Sequence, residues 1–296
     1  LIKILQDNNC NPSFLVGGIY KEDNISYKYT DSKYFVIEGD EYDTSFFDKR
    51  SKFFHYKPDT LIINNLEYDH SDIFENIEQI KKQFHYLIRA MSSNANIIYH
   101  EDDKNVTSLL SMGCWSKKTI ARKLNDIANI TGDHNLQNAS SAISAAKTIG
   151  INESNSILAL EKFSGVKRRL ELINNKNFIL YDDFAHHPTA ISATLRAVKN
   201  KYPGKKITTI FEVRSNSMIS GTHKDNFYSS FDLTDELYIY CTKDADWLKN
   251  SGDFSVYQDI SIIIDKICCS TENVDIVILM SNGDTSHIIN KLNNYE

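Results

Sequence analysis

The feature that most constrains the fold is a short apolar run that ends in polar side chains and is followed by an amphipathic segment. Thr60–Ile63 is mostly apolar, which is typical of a buried parallel strand. It runs into the polar segment Asn64–Asp72, after which apolar residues recur at helical spacing from Ile73 to Arg89. Such strand–loop–helix units build open α/β sheets, in which ligands bind beyond the carboxyl ends of strands.

A second stretch has the same layout and ends in acids. Tyr34–Ile37 is apolar and runs directly into Glu38, with three further acids close behind. We expect this strand and Thr60–Ile63 to be neighbours, so that Glu38 and His70 form a Mg²⁺ site near phosphate chemistry, because Mg²⁺ takes few protein ligands and keeps water and phosphate oxygens. The alternative is that the acids cap helices and that His70 is a cap or a surface histidine.

Strand-like and helix-like segments alternate along the rest of the chain. Further strands are expected at 97–99, 178–181, 206–211, 236–240 and 274–280, and further helices at 106–112, 139–149, 153–163, 189–199 and 260–268. The glycine pair Gly17-Gly18 predicts a turn, and residues 116–131 show no clear period. We therefore predict an α/β protein with mostly parallel sheets in two domains, residues 1–164 and 165–296, divided at Gly165 before a basic cluster.

Bulk properties narrow the classes of function. A chain of 296 residues can bury one large core or two ordinary ones, and its net charge of −6 argues against binding to nucleic acid or an anionic membrane surface. Five cysteines without C-x-x-C spacing argue against a zinc ribbon or a disulfide framework and suit the cytoplasm. The longest apolar runs are strand-length, so no membrane insertion is expected, and oligomeric state is left open.

Two polar clusters are candidates for binding a nucleotide. His134-Asn135-Leu136-Gln137-Asn138 precedes an alanine-rich helix, and two amides three residues apart share a helix face that could match the edge of adenine. The alternative is simple N-capping. Lys167-Arg168-Arg169 could bind a triphosphate, since the planar guanidinium binds two oxygens, whereas the alternative is a solvated linker.

Two further clusters follow predicted strands. Asp182-Asp183-Phe184-Ala185-His186-His187-Pro188 places two acids and two histidines in one strand-to-helix turn. A carboxylate there could hold ribose hydroxyls and an imidazole could contact a phosphate, while the alternative is helix capping with exposed histidines. Arg214-Ser215-Asn216 follows another strand, and an arginine there could clamp a substrate carboxylate.

Taken together, these motifs resemble those of the Mur ligases in order and spacing. The stretches that carry the resemblance are Glu38–Asp43, Asn64–Asp72, Gly132–Asn138, Gly165–Glu171 and Asp182–Pro188. Three others look closest to the murein peptide ligase branch of that family: Asp43–Lys52, Ser111–Trp115, and Phe211–Met218 followed by His223–Asp225. The resemblance covers most of the chain.

The resemblance implies a fold and an activity. The fold would be a central P-loop-type ATPase domain, incomplete at its N-terminus, and a Rossmann-like C-terminal domain that binds peptide. The activity would be ATP-dependent ligation of UDP-N-acetylmuramate to the tripeptide L-alanyl-γ-D-glutamyl-meso-diaminopimelate through an acyl phosphate, in peptidoglycan recycling and so in cell shape and division. UDP-N-acetylmuramate–L-alanine ligase shares the early motifs and stays an alternative, as does a non-catalytic module that binds ATP or peptide.

The resemblance also implies roles by position. Glu38 and His70 would hold Mg²⁺ or Mn²⁺. The ATP contacts would be Asn135 and Asn138 at adenine, Asp183 at the ribose, and Arg169 and His186 at the phosphates. The expected substrate-peptide contacts are Arg214, Asn216 and His187.

The chain also departs from the family pattern. Leu1–Leu5 looks like the end of a helix, and the family's phosphate loop and UDP-sugar domain would lie upstream of it. We therefore expect the 296-residue chain by itself to lack ligase activity.

Overall fold

A computed structural model describes residues 1–69, 73–249, 255–269 and 274–293. It has two compact units, Leu1–Ser164 and Gly165–Glu296. Each unit has hydrophobic clusters of its own. None of the helices in the described ranges is long and apolar enough to cross a membrane.

The first unit contains two three-stranded sheets and five α-helices among its described residues. Its strands are β1 (Ser13–Tyr20), β2 (Ile25–Lys28), β3 (Phe35–Ile37), β4 (Thr60–Ile63), β5 (Asn96–Tyr99) and β6 (Lys117–Ile120). Its helices are α1 (Ile2–Asp7), α2 (Ile77–Ala90), α3 (Lys104–Ser111), α4 (Asp133–Thr148) and α5 (Glu153–Glu161), with a 3₁₀ helix at Lys52–His55. The sheet orders are β2-β1-β3 and β4-β5-β6, and the second sheet is parallel.

Apolar faces of the helices build the cores of this unit. Ile63 and Ile97 of the parallel sheet pack in one cluster with Leu87 and Ile88 of α2 and Leu109 of α3. A second cluster joins α1, α4 and α5. The helix α2 presents its apolar residues on one side, as the spacing predicted.

The glycine pair forms part of a strand, so the predicted turn at Gly17-Gly18 is wrong. Both residues lie inside β1, which pairs antiparallel with β2 and parallel with β3. A Cβ on Gly17 would lie 3.3 Å from Oε2 of Glu38. The glycine is therefore explained by the close approach of a carboxylate to the strand rather than by chain reversal.

Two further predictions for this unit need correction. The strands β3 and β4 are not hydrogen-bonded neighbours, because β3 pairs with β1 whereas β4 pairs with β5. The helix α2 begins at Ile77 rather than Ile73, because the Asn76 side chain accepts a hydrogen bond from the amide of Gln79 and caps it.

The second unit is built on one six-stranded sheet of order β11-β10-β9-β12-β8-β7. Its strands are β7 (Glu171–Asn175), β8 (Ile179–Asp183), β9 (Ile207–Glu212), β10 (Glu236–Tyr240), β11 (Val256–Tyr257) and β12 (Ile276–Met280). Its helices are α6 (Pro188–Lys201), α7 (Asn216–Ile219), α8 (Lys224–Phe227), α9 (Asp246–Lys249), α10 (Ile260–Cys269) and α11 (Ser286–Asn293). All pairings are parallel except that of β7 with β8.

Both faces of this sheet are covered by helices. Leu195 of α6 packs with Ile278 on one face, and Ile263 of α10 and Ile288 of α11 pack with Leu279 on the other. Burial on both faces explains why β12 is a continuous apolar run and why every residue of β9 is buried, including Thr208 and Thr209. The prediction of an α/β protein with mostly parallel sheets is confirmed.

Candidate active site

Three neighbouring strands of the second unit end at the same level. In the ladder, Met280 of β12 pairs with Asp183 of β8 on one side and with Phe211 of β9 on the other. After β8 the chain continues into α6 on one face of the sheet, and after β12 it continues into α11 on the other face. Neighbouring strands whose connections leave to opposite faces open a crevice at their carboxyl ends, where α/β proteins bind ligands.

Arg168 joins the ends of β8 and β12. Its guanidinium donates to the Asp182 carboxylate at 3.1 Å, to the carbonyl of Ser281 at 2.6 Å, and to the carbonyl of Gly283. The residue has a φ of 59°, in the left-handed region that non-glycine residues seldom adopt. The sequence prediction treated Arg168 as part of a phosphate-binding or linker cluster, whereas the structure makes it the clamp between two strand ends.

Arg214 follows the end of β9 and lies beside Glu212 of the same cluster. Its Nη1 is 3.5 Å from Oε1 of Glu212, whose other oxygen accepts a hydrogen bond from the Ser281 hydroxyl. Glu212 is buried, whereas the Arg214 side chain is 53% exposed. The arginine therefore retains accessible surface for an anionic ligand while a buried carboxylate holds one of its nitrogens.

The two acids at the end of β8 are buried. Asp183 is only 5% exposed, and its carboxylate accepts from the amides of Leu170 and Ala185 and from the hydroxyl of Thr194. Burial raises the pKa of Asp183 above its ordinary value, against the opposing effect of these hydrogen bonds. These contacts tie the end of β8 to Leu170, Ala185 and Thr194 but do not cap α6, and the predicted contact of Asp183 with a ribose stays a prediction.

Asp182 is the second buried acid. Burial raises its pKa, although the Arg168 guanidinium opposes the shift. Its Oδ2 accepts from Arg168 and from the Thr285 hydroxyl, while its buried Oδ1 has no hydrogen-bond partner in the described part of the chain.

The histidines of this turn are partly buried, and both take part in local contacts. Nδ1 of His186 is 3.0 Å from the carbonyl oxygen of Phe184. Nδ1 of His187 accepts from the amide of Thr189, so His187 is the N-cap of α6. The predicted phosphate contact Arg169 is exposed, and its guanidinium lies 5.5 Å from the centre of the Phe184 ring.

Glu38 of the first unit follows β3 and is exposed. Its Oε2 accepts a hydrogen bond of 2.6 Å from the backbone amide of Gly17. An exposed carboxylate is a ligand type that suits Mg²⁺. Its predicted partner His70 lies outside the described residues, and the part of the chain that the structure describes holds no group of three or more potential metal ligands.

The predicted adenine contacts lie near the start of α4. Asn135 and Asn138 fall within its first two turns, and the amide nitrogen of Asn135 donates to the carbonyl of Thr131 at 2.8 Å. Asn138 is exposed. Asn216, a predicted peptide contact in the second unit, is the exposed first residue of α7.

The sequence prediction missed three members of the crevice: Arg168 as a clamp, Glu212 and Gly283. Glu212 and Gly283 each stand at or just after a predicted strand end, so their position was a usable signal. Nothing in the local pattern distinguishes Arg168 from its basic neighbours, because its partners lie more than ten residues away.

Comparisons with known proteins agree with these motifs. Residues 23–120 match the Mur ligase middle domain, and residues 168–283 match the Mur ligase glutamate ligase domain. The chain is 37% identical over 331 residues to the UDP-N-acetylmuramate–L-alanyl-γ-D-glutamyl-meso-2,6-diaminoheptandioate ligase of Escherichia coli strain K12, covering 98% of this chain and 70% of that protein. The ligase of the same name from Haemophilus influenzae is 36% identical, over 98% of this chain and 71% of that protein.

A ligase named for a different acceptor, L-alanine, is less similar in sequence. The UDP-N-acetylmuramate–L-alanine ligase of Caldicellulosiruptor saccharolyticus is 28% identical, covering 97% of this chain and 71% of that protein. Among solved structures, a murein peptide ligase from Psychrobacter arcticus matches with a TM-score of 0.73 and 31% identity, over 99% of this chain and 74% of that one. The chain therefore belongs to the Mur ligase family, whose members are ATP-dependent ligases.

Proposed function

We propose that this chain forms part of a ligase that joins UDP-N-acetylmuramate to L-alanyl-γ-D-glutamyl-meso-diaminopimelate at the expense of ATP. The observation that carries the proposal is the identity of 37% and 36% to two ligases named for this reaction, across 98% of the chain. The reaction reuses a tripeptide released from the cell wall, which assigns the protein to peptidoglycan recycling in the cytoplasm.

The reaction has two chemical steps. A muramoyl carboxylate oxygen bonds to the γ-phosphorus of ATP and ADP leaves, which gives an acyl phosphate. The free amine of the tripeptide then attacks the acyl carbon, phosphate leaves, and the nitrogen loses a proton to give the amide. The first step brings two anionic groups together, and the second develops negative charge on the acyl oxygen and the leaving phosphate. Both steps are therefore stabilised by cationic groups that are fixed in place beforehand.

Residues of the second unit are suited to these charges. We assign Arg169 and His186 to phosphate contacts, and Arg214, with Asn216 and His187, to the acceptor peptide. Support for Arg214 comes from its exposed guanidinium at the carboxyl end of β9. Arginine binds a carboxylate through two parallel hydrogen bonds, which fixes the orientation as well as the position of the acceptor.

Residues of the first unit are assigned to ATP and its cation. Asn135 and Asn138 would flank adenine, and Glu38 with His70 would hold Mg²⁺ or Mn²⁺. Glu38 fits such an ion because its carboxylate is exposed and one of its oxygens is fixed by the Gly17 amide. A bound divalent cation would neutralise part of the triphosphate charge during phosphoryl transfer.

The proposal predicts that ATP turnover by the full-length protein requires both organic substrates. ADP release should be measured by a coupled assay with UDP-N-acetylmuramate alone, with tripeptide alone, and with both. We expect turnover only in the complete mixture, with amide product equal to ADP. Turnover at a comparable rate without any acceptor would contradict the proposed reaction.

The second candidate is UDP-N-acetylmuramate–L-alanine ligase. It is supported by the 28% identity of this chain to an enzyme of that name. The two candidates differ in the size of the acceptor. With UDP-N-acetylmuramate and ATP fixed, L-alanine and the tripeptide should be offered in competition and the products separated by mass. A product that carries alanine alone would favour the second candidate.

A further inference from the structure

Gly283 lies so close to Arg214 that a side chain at position 283 would displace the arginine. A Cβ on Gly283 would fall 2.6 Å from Nη1, 2.7 Å from Cδ and 2.8 Å from Cζ of Arg214. Nonbonded heavy atoms do not approach so closely, because repulsion rises steeply inside van der Waals contact. The outer part of the arginine side chain, from Cδ to Nη1, thus packs against the backbone of Gly283 in the turn Ser281–Gly283, which follows β12.

A buried carboxylate connects this turn with Arg214. Oε1 of Glu212 lies 3.5 Å from Nη1 of Arg214, and its Oε2 accepts from the Ser281 hydroxyl. The same hydroxyl accepts a hydrogen bond of 2.8 Å from the amide of Gly283. Glu212 is 7% exposed, which shelters its hydrogen bond with Ser281 from solvent, whereas its ion pair reaches a side chain that is 53% exposed.

Arg168 holds the turn from another direction. Two nitrogens of its guanidinium donate to the carbonyls of Ser281 and Gly283, and a third donates to Asp182. The Arg168 side chain is 24% exposed, and its planar fork fixes both carbonyls at once. The turn is therefore held at two of its three carbonyls, those of Ser281 and Gly283, and at the Ser281 hydroxyl.

We propose that the turn Ser281–Gly283 is a seat that orients the Arg214 guanidinium, and that Arg168 and Glu212 are positioning residues that hold this seat. The inference rests on the proposed function, because the ligand that Arg214 would receive is a carboxylate of the acceptor peptide. Orientation matters because a bidentate arginine–carboxylate pair tolerates little rotation of the guanidinium. The seat thus governs acceptor binding without touching the acceptor.

Gly283→Ala in the full-length protein tests the seat. We expect the KM for tripeptide to rise about tenfold, with the KM for ATP and kcat changed less than about twofold, because a contact with the bound acceptor is weakened in the ground state and transition state alike. The control is Gly204→Ala in the turn before β9, at the amino ends of the strands, where a Cβ would meet no atom within 4 Å and only the φ of 80° causes strain. An unchanged tripeptide KM in folded Gly283→Ala would overturn the proposal.

Arg168→Lys tests the clamp. Lysine keeps the positive charge but lacks the planar fork, so it cannot hold both carbonyls in the same way. We expect a smaller rise in tripeptide KM than that caused by Gly283→Ala, again without a matching change for ATP. Arg196→Lys, an exposed position in the third turn of α6, is the matched control. A rise in the KM for ATP alone would contradict the positioning role.

A crystal structure of Gly283→Ala separates failure of the seat from failure of the proposed reaction. We expect the Arg214 guanidinium to be displaced in that structure whatever the acceptor is. If the natural acceptor proves to be L-alanine, the proposed function fails, yet a displaced Arg214 with a raised KM for L-alanine would still support the seat. An unmoved Arg214 would overturn the seat even if the tripeptide is the substrate.

Discussion

Gly17 is the residue that lets the Glu38 carboxylate approach the backbone of β1. The amide of Gly17 donates to Oε2 at 2.6 Å, and a Cβ there would lie 3.3 Å from the same oxygen. Gly17→Ala is expected to push the carboxylate aside and raise the Mg²⁺ concentration for half-maximal turnover about tenfold, as disturbed supports of metal ligands do. The measurement is a Mg²⁺ titration of ATP turnover at saturating substrates.

The control for this change is Gly150→Ala, since a Cβ on Gly150 would meet no atom within 4 Å. That variant carries strain from a φ of 91° but should leave the Mg²⁺ titration unchanged. An unaltered titration in folded Gly17→Ala would show that Gly17 does not support the proposed metal site.

This pair of residues shows how far single positions could be predicted. Glu38 was identified as a candidate ligand because an acid directly after an apolar strand is visible in the local pattern. Gly17 was misassigned to a turn because its reason for being glycine is a contact 21 residues away along the chain. Arg168, Glu212 and Gly283 were missed on the same ground, since their partners meet only in the folded sheet.

Among the connecting segments, the turn from β8 to α6 depends on Asp183. Its carboxylate accepts hydrogen bonds from two backbone amides and from the Thr194 hydroxyl. In an asparagine at this position, the NH₂ group would face one of these donors and could not accept its hydrogen bond. Asp183→Asn is expected to lower the free energy of unfolding by about 1–3 kcal/mol. Urea unfolding, followed by circular dichroism at several pH values, measures the change.

The stability that Asp183 contributes should depend on pH. Because burial raises the pKa of Asp183 in the folded state above 3.8, the folded protein binds more protons than the unfolded chain between the two values. The contribution of wild-type Asp183 to stability therefore falls as pH rises through that window. The difference in unfolding free energy between wild type and Asp183→Asn should therefore narrow with rising pH.

Elements were predictable where burial imposes a pattern. The strand β12 and the helix α2 were recognised because one or both of their faces are apolar, and β9 because β-branched and aromatic residues dominate it. The strands β6 and β7 were missed, since both lie at sheet edges and most of their side chains are exposed or half-buried. An edge strand is held mainly by backbone hydrogen bonds to one neighbour, so its sequence shows little alternation of apolar and polar side chains.

For the chain as a whole, each of the two compact units has its own buried strands. Ile97 lies in the centre of β5 in the first unit, and Ile278 lies in the centre of β12 in the second, and both are completely buried. Truncating either to alanine removes buried methyl groups and leaves a cavity, which costs about 2–5 kcal/mol. The loss of stability should affect first the strands that share a hydrophobic core with the changed residue.

Hydrogen exchange followed by mass spectrometry on the full-length protein can locate that loss. Ile278→Ala is expected to speed amide exchange by about thirtyfold or more in the strands β8, β9 and β12, because exchange there follows the opening of their own core. Ile97→Ala should do the same in β4 and β5. Equal acceleration of both sets of strands by either variant would mean that the chain opens as one cooperative unit, and the boundary at Gly165 would then have no energetic meaning.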